Sequence, residues 1–176
     1  MGTQFIFVVE ADRKCKSDWI YIKDTMDHFY QYDSSNVKLS PVYMAGRGNY
    51  KKKEREIAGL ISQYRAGGKA NHSNLLYCFD CDNYDTSQKD SEFLKNAEKY
   101  CREREAAFVW FCKDVEQVYI GRSIEDSQKK KMAAAFKERE QIREIRSRQL
   151  SAEVYRNHTS NILRVLDSYS ELRRKQ

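Results

Sequence analysis

Three carboxylates stand at the ends of two apolar runs, and their types and spacing suit the binding of a divalent cation. Asp80 and Asp82 follow the run 74–79, and Glu10 follows the run 5–9. Carboxylates held close together repel one another unless a proton or a cation relieves the repulsion. Oxygen ligands of this kind favour Mg²⁺ or Mn²⁺. The pattern therefore predicts a metal site at Glu10, Asp80 and Asp82, provided that the two runs end side by side.

The elements predicted around these acids indicate how the acids come together. Apolar and alternating runs predict strands over 4–9, 37–43, 74–79 and 107–112, and Pro41 favours an edge position for the second of them. Apolar residues at helical spacing predict helices after the first three strands. The alternation indicates an α/β fold, Rossmann-like, with a four-stranded, mostly parallel sheet and helices on both faces. All strands then end at one edge of the sheet, where ligands bind in such folds.

Further acids are expected at this edge. If the backbone stays extended after Asp80, Asp82 projects to the same side as Asp80. Asp18, at the start of the first helix, and Glu116, after the fourth strand, are candidates for a second metal. Both are also common residue types for a helix cap or an exposed helix position, and Asp-x-Asp occurs in ordinary polar turns. These alternatives remain open from the residues alone.

The positive charge of the chain lies in its last fifty residues. The formal net charge is +6, and the first 125 residues contain equal numbers of basic and acidic side chains. Basic residues in the tail and in one turn are candidates for contacts with nucleic-acid phosphates: Arg47, Lys129, Lys130, Lys131, Arg139 and Arg143. The alternative is a solvated helix with pairs of opposite charge one turn apart. The composition thus points to a nucleic-acid partner without establishing one.

The tail is predicted to be helical and to follow a compact domain. We divide the chain into an α/β domain over 1–125 and a basic helical extension over 126–176, with helices over 129–149 and 151–173. The second helix would carry an apolar seam suited to packing on the core or on a second copy of the chain: Tyr155, His158, Ile162, Val165, Tyr169 and Leu172. A homo-oligomer formed through the tail helices is therefore one expectation.

Composition excludes some classes of protein. No apolar stretch is as long as a membrane span, and the first strand begins without the apolar region of a signal peptide. We therefore expect a cytoplasmic protein without a membrane partner. The five cysteines are an odd number, and neither a zinc site nor a disulfide framework is indicated.

The order of these acids resembles that of the TOPRIM domain, the catalytic core of topoisomerases, bacterial primases and related nucleases. That family has a glutamate at the end of its first strand and Asp-x-Asp at the end of a later strand, here Glu10 and Asp80-Cys81-Asp82. More narrowly, the chain resembles small TOPRIM-like proteins of restriction and abortive-infection loci. In those proteins an acid opens the first helix, where Asp18 stands, and a glutamate follows the next strand, where Glu116 stands. The resemblance covers about residues 4–121.

The resemblance implies a nuclease that uses Mg²⁺ or Mn²⁺ to hydrolyse the phosphodiester bonds of DNA or RNA. Asp80 and Asp82 would hold the metal, and Glu10 would complete its ligands or move a proton. It also implies a role in defence against phage or mobile elements, with a partner ATPase or a sensor protein. TOPRIM sequences usually place glycine where this chain has Ala11. The alternative is therefore a degenerate, non-catalytic TOPRIM module that acts in binding or assembly.

Overall fold

A computed structural model describes residues 2–175 of the chain. Four parallel strands form the main sheet: β1 Thr3–Val9, β3 Val37–Tyr43, β4 His72–Asp80 and β5 Ala107–Phe111. They lie side by side in the order β3-β1-β4-β5. The predicted parallel α/β sheet is thus confirmed, and Pro41 lies on an edge strand, where its missing N–H leaves no partner unsatisfied.

The first strand lies inside the sheet, between β3 and β4, and every residue in it is therefore buried. Phe5, Phe7 and Val9 face one core, and Ile6 and Val8 face the other. Strand residues alternate between faces, so a strand with helices on both sides reads as a continuous apolar run. This is the physical reason that the run 5–9 predicted a buried strand.

Helices cover both faces of the sheet. On one face lie α1 Ser17–Phe29, α4 Val115–Ile120 and α5 Asp126–Glu138, and on the other lie α2 Glu54–Ala66 and α3 Gln88–Glu103. The turn before α2 is a 3-10 helix, Arg47–Lys53. The hydroxyl of Ser87 caps α3 by accepting a hydrogen bond from the N–H of Asp90, and Gly121 ends α4 in the left-handed conformation. Short loops between these elements hold the strand ends in place.

The tail does not form the two long helices that the sequence predicts. Helix α5 ends at Glu138, and only short helices follow: the 3-10 helix Gln141–Glu144, α6 Ser147–Leu150 and α7 Ile162–Leu166. A final short strand, β6 Arg173–Arg174, pairs with β2 Tyr30–Gln31 next to α1. The expectation of helices over 129–149 and 151–173 is therefore wrong.

The seam predicted for self-association is used inside the chain. Ile162 and Leu172 belong to the core beneath α1, and Val165 and Tyr169 pack against that core. Tyr155 packs instead on the opposite face, against Trp110. The division at residue 125 remains a prediction, and residues on both sides of it share one hydrophobic core.

The tail also covers the exposed edge of β5. Asn161 accepts a hydrogen bond from the N–H of Trp110 and donates one to the carbonyl of Phe108, both at 2.9 Å. The N–H of Cys112 donates to the carbonyl of Thr159, and Ser160 forms a bridge with Phe111. An uncovered edge strand would expose unpaired backbone groups, so the tail completes the sheet.

Candidate acidic site

The ends of β1 and β4 bring Glu10 and Asp80 into direct contact. The side chain of Glu10 accepts a hydrogen bond from the N–H of Asp80 at 2.9 Å. The side chain of Asp80 accepts one from the N–H of Val115, at 3.0 Å, at the start of α4. Because parallel strands end at one edge, two acids separated by seventy residues meet there.

The first helix adds Asp18 to the same place. One oxygen of Asp18 accepts a hydrogen bond from the N–H of Ala11 at 2.8 Å, and the other accepts one from the hydroxyl of Ser17 at 3.2 Å. Asp18 is only 9% exposed and lies in the first turn of α1, where the helix dipole favours an anion. The loop after Glu10 is thus tied back onto the acid that opens α1.

Glu116 is the most unusual acid in the structure. It lies in α4, is 0% exposed, and neither of its carboxylate oxygens has a hydrogen-bond partner among the described residues. The nearest cation is the ammonium of Lys129, 3.8 Å from one of these oxygens and 3.1 Å from Asp126. A buried carboxylate without hydrogen bonds is costly, so Glu116 is either protonated or paired with another cation.

Asp82 departs from the expected extended backbone. Its φ angle is +46°, so the chain turns into the left-handed region immediately after the strand. Asp82 Oδ2 lies 2.5 Å from Nη1 of Arg47, without the angle of a hydrogen bond, while Nη2 of Arg47 hydrogen-bonds Asp90. Asp82 is therefore close to the other acids but already paired with an internal cation.

A cleft of about 400 Å³ opens over these acids. Glu10, Asp18 and Asp80 line it together with Asp126 and Lys129. Asp12 and the small residues Ala11, Ala45 and Gly46 form part of its wall. The cleft thus exposes three of the predicted acids to a ligand, with one lysine at its side.

Burial and mutual repulsion raise the pKa values of the clustered acids. Burial raises the pKa of Glu10 to about 8 against the hydrogen bond from Asp80, and the charges of Asp18 and Asp82 add to the rise. Burial also raises the pKa of Glu116 to about 7, although Lys129 opposes the shift. The pKa values of Asp18 and Asp80 are raised by burial as well, and for Asp80 the charge of Glu10 adds to it. Such a cluster favours the uptake of protons or of an external cation.

The donor atoms suit a hard cation, but they are not arranged around one. Among residues 2–175, no three His, Cys, Asp or Glu side chains are placed to hold a metal ion together. Glu10 and Asp80 instead bind backbone N–H groups, and Asp82 binds Arg47. A metal would therefore require these side chains to give up their present partners. The carboxylate oxygens of the cluster, including those of Glu116 that accept no hydrogen bond from the described residues, are of the kind that a hard cation prefers.

The predicted basic residues lie in several different environments. Lys129 belongs to the acidic cleft, whereas Lys130, Lys131 and Arg139 are exposed on or just after α5. Arg143 is paired with Glu140 at 2.9 Å, as the alternative of a solvated helix expects, although the pair lies at a 3-10 turn. Arg47 packs against Phe93 while it contacts Asp82 and Asp90. The nucleic-acid contacts of these residues stay a prediction.

Sequence reasoning missed two acids that support the site. Asp90 holds Arg47 in place, and Asp114 caps α4 by accepting a hydrogen bond from the N–H of Gln117 at 2.7 Å. A signal was present for both, because each stands near the start of a helix that follows a strand end.

Comparisons with protein-family models, with curated proteins and with solved structures found no significant match. In the part of the chain that the structure describes, no helix is long and apolar enough to cross a bilayer.

Proposed function

We propose that this protein is a divalent-metal-dependent nuclease with a TOPRIM-like domain, cleaving phosphodiester bonds of DNA or RNA. The observation that carries the proposal is the meeting of Glu10, Asp18, Asp80 and Glu116, whose oxygens accept no hydrogen bond from the described residues, at the carboxyl edge of a parallel sheet. Burial of so many acids is unfavourable for a stable core, and function is the usual reason for such a cluster.

Each acid has a role that follows from its position. Glu10 and Asp80 would hold Mg²⁺ or Mn²⁺ from the cleft, and Asp18, which also lines the cleft, would extend the set of ligands. Glu116, which is fully buried, would be an additional ligand. The bound metal would polarise the phosphate and lower the pKa of a bound water. Where Glu10 does not bind the metal, its pKa of about 8 suits it instead to accept or return a proton near neutral pH. Lys129 would offset the negative charge of the cleft while a phosphate enters.

The test is a pair of conservative variants with a matched control. Asp80→Asn and Glu10→Gln keep an oxygen that can accept the observed N–H hydrogen bonds but remove the charge. Asp85→Asn removes the same charge from an exposed aspartate in the same loop, where Asp85 pairs with Lys113. Wild type and Asp85→Asn should cleave plasmid DNA or structured RNA with Mg²⁺ or Mn²⁺. The cleavage activity of the two site variants should fall by roughly 10- to 100-fold or more, which is the loss typical of mutations close to a metal site.

The second candidate is a non-catalytic module that acts in binding or assembly. The pairing of Arg47 with Asp82 and of Lys129 with Glu116 favours it, because internal cations then already neutralise part of the cluster. Calorimetric titration with Mn²⁺ separates the two candidates. No heat of binding in the wild type, together with no cleavage of either nucleic acid, would reject the nuclease in favour of the module.

The biological setting follows only from the resemblance. We propose a role in defence against phage or mobile elements, with an ATPase or a sensor protein as partner, in the cytoplasm. Co-purification of the tagged chain with its neighbours on the genome, before and during infection, tests this proposal.

A further inference from the structure

A second cleft, far less acidic than the first, lies between two segments of the tail. It has a volume of about 570 Å³, within the range of about 300–1,000 Å³ that ligand sites occupy. All eight residues that line it have polar side chains, and three of them are arginines: Arg146, Arg148 and Arg156. Because no apolar side chain in the described part of the chain lines the cleft, it favours a polar or charged ligand.

Within residues 2–175, the three arginines have no partner of opposite charge. Among the described residues, none of their guanidinium groups lies within 4.0 Å of a carboxylate, whereas Arg143, Arg164 and Arg174 of the same tail are each paired. Glu144 is the only acid in the lining. Unpaired arginines that share one concave surface repel one another and attract an anion with several oxygens.

The walls of the cleft are held in place by backbone hydrogen bonds. The N–H of Ser160 donates to the carbonyl of Gln149 at 2.9 Å, which joins the segment that carries Arg146 and Arg148 to the one that carries Arg156. The side-chain amide of Gln149 also donates a hydrogen bond to the backbone carbonyl of Val118 in α4, at 2.6 Å. The arginines therefore extend from an ordered frame, which lowers the entropy lost on binding.

The frame is attached to the same segment as the acidic site. His158 donates its N–H to the carbonyl of Cys112, and its ring nitrogen Nδ1 lies 2.9 Å from the carbonyl of Gln117. Glu116 and Val115, which belong to the acidic site, lie between these two contacts in the sequence. Residues of the arginine cleft and Asp80 of the acidic cleft are thus all hydrogen-bonded to the segment 112–118.

From these observations we infer that the arginine cleft binds the phosphodiester backbone of a nucleic-acid strand. The inference deepens the proposed nuclease function, on which it rests for the identity of the polyanion. A strand has phosphates at regular intervals, so one part of it can lie on Arg146, Arg148 and Arg156 while another part reaches the acidic cleft. Without such anchoring, the carboxylates of the acidic cleft repel the phosphates that they must approach.

The experiment measures binding apart from cleavage. Fluorescence anisotropy follows labelled DNA and RNA strands of about 20 nucleotides, longer than typical single-strand sites of roughly 4–16 nucleotides. EDTA is present, so no metal-dependent step takes place. The cleft variant combines R146Q, R148Q and R156Q. The matched control combines K52Q, R55Q and R102Q, which removes the same charge from exposed positions on and near α2 and α3.

The cleft variant should bind at least tenfold more weakly than the wild type, and the control should stay within about threefold of it. Between about 50 and 200 mM salt, the logarithm of the association constant falls linearly with log[salt]. The magnitude of that slope should be smaller by about two to three in the cleft variant, because three phosphate contacts are lost. N157E, which adds a negative charge to the lining without removing an arginine, should weaken binding in the same direction. Thermal unfolding of each variant verifies that the fold is kept.

Equal losses in the cleft variant and the control would overturn the inference, because bulk charge would then explain the binding. Unchanged binding in the cleft variant, or no binding by the wild type, would also overturn it. Comparison of the DNA and RNA strands shows which backbone is preferred. Cleft-dependent binding in a protein that cleaves neither strand would support this inference while the proposed catalytic function fails.

Discussion

The protonation of Glu116 links the acidic site to the stability of the chain. Its pKa of about 7 in the folded protein lies above the value of 4.5 of a free side chain, chiefly because of burial. The folded state therefore holds a proton that the unfolded chain has lost. The proton therefore stabilises the folded state. This contribution to the free energy of unfolding is complete below pH 4.5 and is lost as pH rises to about 7.

Glu116→Gln should therefore flatten the dependence of stability on pH. The free energy of unfolding of the wild type should fall between pH 5 and pH 8 by on the order of 2–3 kcal/mol more than that of the variant. Denaturant unfolding at the two pH values measures this difference, and the comparison within each protein cancels the cost of the buried amide. Glu138→Gln, on the exposed side of α5, is the control and should retain the wild-type slope. Parallel curves for wild type and Glu116→Gln would contradict a raised pKa of Glu116 in the folded protein.

Metal binding at Glu10 should show the opposite dependence on pH. A carboxyl group with a pKa of about 8 must release its proton before it binds a cation, so affinity rises as pH increases. We expect saturating Mn²⁺ to raise the melting temperature more at pH 8.5 than at pH 6, where ordinary carboxylates are already ionised. Differential scanning fluorimetry gives both shifts. In Glu10→Gln the shift should be smaller at both values, and an identical shift in the variant would exclude Glu10 as a ligand.

At the scale of elements, the strands were predictable and the tail was not. Residues 5–9 and 107–111 are apolar throughout, and burial on both faces of a parallel sheet leaves few other arrangements for them. The approach of Glu10 to Asp80 follows from this topology alone. The pairing of Asp82 with Arg47 does not, because it depends on a left-handed residue and on a 3-10 turn from another loop.

The tail was mispredicted because helix propensity is weaker than tertiary contacts. Residues 151–173 show apolar spacing of three and four, which favours a helix. In the structure the same side chains fill the core, while Thr159 and Asn161 satisfy the edge of β5. An edge strand with unpaired N–H and C=O groups requires partners that an isolated helix could not supply.

Asn161→Ala tests this role of the tail in covering β5. The variant leaves the N–H of Trp110 and the carbonyl of Phe108 without their present partners. Each loss in a partly buried setting costs about 1–3 kcal/mol, so the free energy of unfolding should fall by at least that much. Asn157→Ala, an exposed neighbour, should change it by less than about 0.5 kcal/mol. Equal effects of the two substitutions would show that solvent replaces the tail without cost.

At the scale of the whole molecule, the last fifty residues contribute to the core of the sheet domain. Seven large apolar side chains beyond residue 125 are buried in the core beneath α1: Phe136, Ile142, Leu150, Ile162, Leu163, Leu166 and Leu172. Each contributes about 1.5–3 kcal/mol when buried. Their sum is comparable with the entire stability of roughly 5–15 kcal/mol of a typical domain.

A chain that ends at residue 125 should therefore fail to fold cooperatively. Its near-UV circular dichroism should be weak, and its denaturant unfolding should lack a sharp transition, because the face of the sheet beneath α1 loses much of its cover. A chain that ends after Leu172 keeps all seven side chains. It loses the pairing of β6 with β2, the ion pair of Arg174 with Asp167 and the hydrogen bonds of Lys175, so it should unfold cooperatively with a smaller loss of stability. If residues 1–125 instead gave a sharp transition and a native near-UV spectrum, the tail would be a separate extension. The nucleic-acid contacts proposed for the tail could then be removed while the fold that carries Glu10, Asp18 and Asp80 is kept, although the cleft would lose Lys129.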